Sequence, residues 1–185
     1  MYGLVNKAIE QMVCAHFDTA TWEAIKRRAE VDVSVFLSMH AYPDDVTYRL
    51  VDAASKTLER SHAEVLRAFG RYWTLYTAAE GYGELLKLTG GSLREFLRNL
   101  DNMHARVGLS YPQLRPPSFV CADLPEGGML LHYYSEREGL APMVIGLLEG
   151  LAERFQTPID IALAASRAQG DDHEVFRITF CESSL

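Results

Sequence analysis

The chain has 185 residues, 48% of them hydrophobic and 23% charged, enough for one domain with a cofactor-sized core. Its formal net charge of −7, without any basic block, argues against a phosphate-backbone partner, so no nucleic-acid role is expected. Cys14, Cys121 and Cys181 are too few and too dispersed for a disulfide framework or a zinc cluster, and no apolar run reaches the ~18 residues of a membrane span, so a soluble, cytoplasmic protein with no membrane partner is expected.

The first hundred residues read as helical. Leu4, Val5, Ala8, Ile9, Met12 and Val13 recur at helical spacing, and Trp22, Ile25 and Ala29 mark a short second helix. Pro43-Asp44-Asp45 reads as the start of a third, continued by Val46, Leu50, Val51 and Ala54; the paired acids suit a helix start better than a catalytic dyad. Ser61 with Glu64 forms a capping-box signature before Val65, Leu66, Phe69, Trp73 and Leu75. Ser92 with Glu95 repeats it, and the spacing predicts one helix from there to a stop at Gly108.

After Gly108 the texture changes. Tyr111-Pro112 and Arg115-Pro116-Pro117 favour extended backbone. Strands are expected over Ser118–Ala122 and Met129–Glu136, joined by the turn residues Pro125-Glu126-Gly127-Gly128. Pro142 suits the first turn of a helix carrying Met143, Val144, Leu147, Leu148, Leu151 and Phe155. Ile159–Ala165 and Glu174–Cys181 read as two further strands around Gln169-Gly170-Asp171-Asp172. The expected fold class is α+β: a helical N-terminal half, then a small antiparallel sheet with covering helices, the halves sharing a cleft near residue 108. A single domain over 1–185 is expected, with subregions of about 1–60 and 61–185.

Two features carry chemistry. His104 falls on the apolar stripe of Leu93, Phe96, Leu97, Leu100, Met103 and Val107, where a histidine is either a hydrogen-bonded core residue or a metal ligand. Tyr133-x-Ser135-x-Arg137 alternates along an expected strand, so phenol, hydroxyl and guanidinium would face one way. That set suits carboxylates, which Arg binds bidentately and hydroxyls complete; the competing reading is an edge strand whose polar face meets water. A lone histidine with a carboxylate-binding face suggests a haem site. His16, His40, His62, His132 and His173 are read as surface or loop residues, and His132 alternates away from the clamp.

The run Leu100-Asp101-Asn102-Met103-His104-Ala105-Arg106-Val107-Gly108, then Pro116-Pro117, then Leu131-His132-Tyr133-Tyr134-Ser135, resembles the H-NOX family of haem nitric oxide/oxygen-binding domains, related to the haem domain of soluble guanylate cyclase. Met1-Tyr2-Gly3-Leu4-Val5-Asn6 and Glu80-Gly81-Tyr82-Gly83 add to the likeness, which runs from residue 1 to about 181 and looks closest to stand-alone cyanobacterial members. The resemblance implies haem b between the two halves, with residues 1–60 distal. It makes His104 the proximal iron ligand, Tyr133, Ser135 and Arg137 the propionate clamp, and Pro117 the residue that distorts the porphyrin. Val5, Trp73, Met143 and Leu147 match the family's distal gas pocket. Oxygen-binding relatives place a tyrosine there; Pro142–Leu148 contains none, so nitric oxide and carbon monoxide should be favoured over oxygen.

The function implied is a haem-based gas sensor, not an enzyme, that signals by conformational change. Because the chain stops soon after the sheet, the expected partner is a separate histidine kinase or cyclic-nucleotide signalling enzyme. A haem enzyme such as a peroxidase or nitric oxide dioxygenase is the alternative, and would want a distal acid or base. A binding module for another carboxylate-bearing ligand, a lipid or a bilin, is the third reading.

Overall fold

Helical periodicity and capping chemistry account for most elements of the N-terminal half. The computed structural model describes residues 1–111, 113–125 and 127–181, with the backbone alone at 78–81. Helix α1 (Gly3–His16) buries Ala8, Ile9, Met12 and Val13, and α2 (Thr19–Arg28) is capped by Asp18, whose carboxylate accepts from Thr21 N at 2.7 Å. Helix α3 (Asp44–Leu58) begins directly after Pro43. Helix α4 (His62–Tyr72) has the full Ser61–Glu64 capping box. It runs into a π-helical turn (Trp73–Thr77) and on into α5 (Ala78–Thr89), whose backbone departs from helical geometry at Tyr82.

The single helix expected from Ser92 to Gly108 is two: α6 (Leu93–Arg98) and α7 (Leu100–Gly108). The break falls at Asn99 (φ −99°, ψ 6°), whose side-chain amide donates to the Thr89 carbonyl at 2.8 Å and so anchors the junction to the end of α5. Ser92 caps α6, but the Glu95 carboxylate turns to Gly91 N at 2.9 Å instead of closing a box.

Strands β1 (Ser118–Asp123), β2 (Met129–Tyr134), β3 (Ile159–Ala165) and β4 (Glu174–Phe180) form an antiparallel sheet in the order β1-β2-β4-β3. Helix α8 (Ala141–Arg154) carries Pro142 in its first turn. This is the α+β architecture that the residue patterns predict. One strand is shorter than expected: β2 stops at Tyr134, not Glu136. Tyr134 pairs with Ser118, the first residue of β1, and Tyr133 with Glu174, the first of β4, so the ladder runs out of partners. Pro112 and Glu126 of the expected turns lie outside the described residues, as do the side chains of Glu80 and Gly81.

His132 lies on the outer sheet face, away from Tyr133, and His173 in the bend before β4, both half-buried. His132 Nδ1 lies 2.8 Å from His173 Nε2, His173 Nδ1 lies 2.6 Å from the Asp172 carboxylate, and Tyr134 stacks on the His173 ring at 4.2 Å.

The buried apolar residues form two clusters. One gathers α1–α4 around Ile9, Trp22, Ile25, Leu50 and Phe69; the other packs the inner sheet face, with Met129, Leu131, Phe176 and Ile178, against Phe96, Leu97 and Leu148. Trp73 touches both. The clusters are joined where α4 crosses α8 with backbones in contact: a Cβ built on Gly70 would overlap the Met143 carbonyl, and one on Gly146 the Arg67 carbonyl. Arg67–Glu149 and Arg71–Glu153 ion pairs flank the crossing. Among the described residues, no helix is long and apolar enough to cross a membrane.

Candidate functional site

Between the two clusters lies a cavity of about 1050 Å³, just above the roughly 300–1,000 Å³ typical of ligand and cofactor sites. Val5 on α1, Trp73 in the π-turn, His104 on α7, Pro117 before β1, Tyr133 on β2, Ser135 and Arg137 after it, and Met143 and Leu147 on α8 all line it. The wall between them is largely apolar, with Leu86, Phe96, Leu100 and Leu148 among its members. The π-turn inserts one residue into the helical path between α4 and α5, and both Trp73 and Thr74 within it meet the cavity.

His104 presents an imidazole whose buried Nδ1 has no hydrogen-bond partner. Burial lowers its pKa below the usual histidine value, against weaker opposition from the Asp101 carboxylate and the Pro117 carbonyl, so the ring is neutral at neutral pH. A neutral imidazole is the form that ligates metals. Phe119 lies beside it, ring centroids 5.8 Å apart.

Tyr133, Ser135 and Arg137 are brought together, but not by the strand pleat alone, since only Tyr133 is in β2. Tyr133 is buried, and burial raises its phenol pKa while a hydrogen bond with Ser135 opposes the shift. The Ser135 hydroxyl accepts from Arg137 N at 3.0 Å, a local turn that takes over where the ladder ends. Arg137 donates Nε to Asp44 Oδ2 at 2.8 Å, Nη2 to Asp44 Oδ1 at 3.4 Å and Nη1 to the Arg115 carbonyl at 2.9 Å. These bonds leave part of its five-donor fork uncommitted.

Residues not singled out from the sequence also line the cavity. Asp44, read only as a helix start, sits at its mouth and holds Arg137. Tyr82 and Tyr111 pair hydroxyl to hydroxyl within it, and burial followed by that bond raises the Tyr82 pKa. Tyr2 meets Tyr111 edge-on at 4.8 Å. Thr74 is within 3.3 Å of the Gly70 and Leu147 carbonyls, across the α4–α8 crossing. Asp44 showed in the sequence as one of an acid pair whose helix role was sufficient explanation, and Tyr2, Tyr82 and Tyr111 only within family-like or helix-breaking runs that gave them no place in a site.

The cavity's donor set fits haem: an unpartnered buried imidazole nitrogen, an apolar wall, and a guanidinium and hydroxyls grouped where carboxylates could end. Comparison with known proteins agrees. Residues 2–163 match the model of the family described as Haem-NO-binding. A soluble guanylate cyclase of Caenorhabditis elegans, gcy-32, is 32% identical over 177 residues, covering 94% of this chain and 26% of that protein. A second from the same organism, gcy-35, is 30% identical over 193 residues, covering 100% and 28%. The chain thus spans about a quarter of the length of these curated relatives. An H-NOX protein from S. oneidensis, solved in the Fe(II)NO ligation state, shares the fold with a TM-score of 0.90 at 23% identity, over 98% of this chain and 100% of that one. The chain belongs to the Haem-NO-binding family, the H-NOX domains.

Proposed function

We propose that this domain is a haem-based gas sensor, taking nitric oxide and carbon monoxide in preference to oxygen. The observation that carries the reading is His104: a neutral, half-buried imidazole lining a largely apolar cavity that also collects Arg137, Ser135 and Tyr133. In this reading His104 holds the iron of haem b, and Arg137, Ser135 and Tyr133 bind the two propionates by charge-assisted and hydroxyl hydrogen bonds. Pro117, which lines the same cavity, would press its rigid ring on the porphyrin. When bound, the haem would supply ferrous iron able to take a diatomic gas. Val5, Trp73, Met143 and Leu147 would line the gas pocket, where the three other than Trp73 offer no hydrogen-bond donor. The phenols of Tyr82 and Tyr111 are engaged with each other.

In this reading residues 1–60 would make up the distal subregion and 61–185 the proximal one, with Trp73, Met143 and Leu147 reaching the gas pocket from the second. A gas that weakened the hold of His104 would shift the two, and a separate signalling protein would read the shift, either a histidine kinase or a cyclic-nucleotide enzyme. The guanylate cyclase relatives favour the second kind. A haem enzyme is the less supported reading, because His104 is the only histidine among the described lining residues, leaving no second imidazole to act as acid or base.

Absorbance of the purified, reduced protein with nitric oxide, carbon monoxide and air tests the proposal. A haem Soret band that shifts with the first two gases and shows no lasting oxygen adduct is expected. A haem-free protein, or a stable oxygen complex, would overturn the cofactor or the selectivity respectively.

A further inference from the structure

Past Tyr134 the sheet gives no ladder support, yet the segment 135–137 must hold its shape for Arg137 and Ser135 to act together. Support comes from behind, from the β3–β4 connection. Arg167, in the short 3-10 turn Arg167–Gln169, donates Nη1 to the Ser135 carbonyl at 2.9 Å and Nη2 to the Arg137 carbonyl at 2.6 Å. Its third nitrogen, Nε, donates to both oxygens of Glu174, each at 3.1 Å. Glu174 is 4% exposed and stands opposite Tyr133 in the β2–β4 ladder. One guanidinium therefore ties two alternate carbonyls of the 135–137 segment to a buried carboxylate rooted beside Tyr133.

We infer that Arg167 and Glu174 are positioning residues for the carboxylate clamp, setting the backbone from which Ser135 and Arg137 reach the cavity; the inference rests on the haem reading above. Planar fork geometry is what the task requires. A lysine ammonium is a point charge that cannot span two carbonyls and a carboxylate in fixed directions. Glu174 in turn is buried at a cost that the Arg167 ion pair and hydrogen bonds offset, so the pair resists dissociation and the brace stays rigid. Both residues lie beyond residue 163, where the family match ends, so the clamp depends on chain outside the matched segment.

The test compares haem loss and local backbone opening in the full chain. Haem transfer to an excess of a haem-scavenging apoprotein is measured for wild type, Arg167→Ala, Arg167→Lys, Glu174→Gln and Arg137→Ala. Amide hydrogen exchange at Arg137 is measured on the haem-free forms, since that N–H is held by Ser135 Oγ. Arg167→Ala should speed haem loss about tenfold, the order expected for losing charged hydrogen bonds, with Arg167→Lys in between. The exchange at Arg137 should accelerate with it. In an Arg137→Ala background, Arg167→Ala should add less than about twofold, because the group it positions is gone. Glu174→Gln, which keeps the volume of the side chain, should give the same pattern if Arg167→Ala folds poorly. Equal acceleration in both backgrounds would make Arg167 a general fold support and overturn the inference, as would unchanged haem loss in Arg167→Ala and Glu174→Gln. If Arg137→Ala itself retains haem like wild type, the clamp reading fails, and the inference with it.

Discussion

Arg137 and Asp44, 93 residues apart in sequence, form an ion pair at the cavity mouth with Nε 2.8 Å from Oδ2. The pair ties the start of α3 to the segment after β2. Burial pushes the Asp44 pKa up, but hydrogen bonds from the amino terminus and Arg137 outweigh it, leaving the net value below the ordinary 3.8. A depressed folded-state pKa means that the contribution is complete above 3.8 and is lost as pH falls through the lower folded value.

Asp44→Asn should therefore lower the melting temperature of the haem-free protein at pH 7 by a few degrees. That corresponds to about 0.5–1 kcal/mol for a pair whose carboxylate is well exposed. Below pH 3.8 the difference from wild type should shrink as Asp44 itself becomes neutral. Thermal melts followed by circular dichroism at both pH values check this. A difference of the same size at both would assign the effect to packing instead of charge.

His104→Ala should abolish stable haem binding while leaving the fold intact. The imidazole sits on the cavity wall and its Nδ1 has no partner to lose. Added free imidazole should restore a Soret band by filling the space left in the wall. A variant that keeps the wild-type spectrum without imidazole would remove His104 from the site.

Gly146→Ala should destabilise the protein by about 1–3 kcal/mol, the cost of forcing an extra methyl into a packed interface. The new Cβ would overlap the Arg67 carbonyl, which is helix backbone and cannot swing aside. Gly83→Ala is the contrasting case. Nothing lies within 4 Å of its Cβ position, in the interior of α5, so a gain of about 0.5–1 kcal/mol from reduced backbone freedom is expected. Denaturant midpoints at unchanged slope measure both, and similar values for the two variants would refute the close-crossing argument.

Met143→Tyr should raise oxygen affinity of the reduced protein roughly fivefold or more, the effect of a net hydrogen bond of about 1 kcal/mol to a polarised ligand. Carbon monoxide affinity should change little. Thr74 is turned to backbone carbonyls, and one phenol of the Tyr82–Tyr111 pair donates to the other, so among these hydroxyls only the accepting phenol keeps a proton to donate. If air-exposed wild type already holds oxygen for long periods, Trp73 becomes the donor to examine.

The helices around Ile9, Leu50 and Phe69 were legible because apolar spacing and caps are local properties of the chain. His104 stood out for the same reason, a histidine where the stripe calls for a leucine. The break at Asn99 was not legible: Leu97 and Leu100 keep a three-residue step across it, and the anchoring bond to Thr89 is tertiary. Nor was the end of β2, which is decided by where β1 and β4 begin. Asp44 and Arg167 escaped notice because their partners are distant in sequence or are backbone carbonyls, which leave no mark in residue identity. A carboxylate-binding role for Tyr133, Ser135 and Arg137 was legible from their chemistry, whereas the propionate assignment and the role of Pro117 came from family resemblance; the shared cavity is a property of the folded chain.

The π-turn at Trp73–Thr77 has a consequence for length variation. Loops of a domain usually absorb insertions and deletions, whereas helices do not. Here a helical path already carries one residue more than α-helical hydrogen bonding needs. Deleting one residue between 73 and 77 could be accommodated by a regular helix without breaking the chain path. The phase downstream would be kept, because the extra residue is taken up within a single turn, so Tyr82, Leu85 and Leu86 would stay on the cavity wall. What the shortened chain would lose is the bulge itself, the local widening within which Trp73 and Thr74 both meet the cavity.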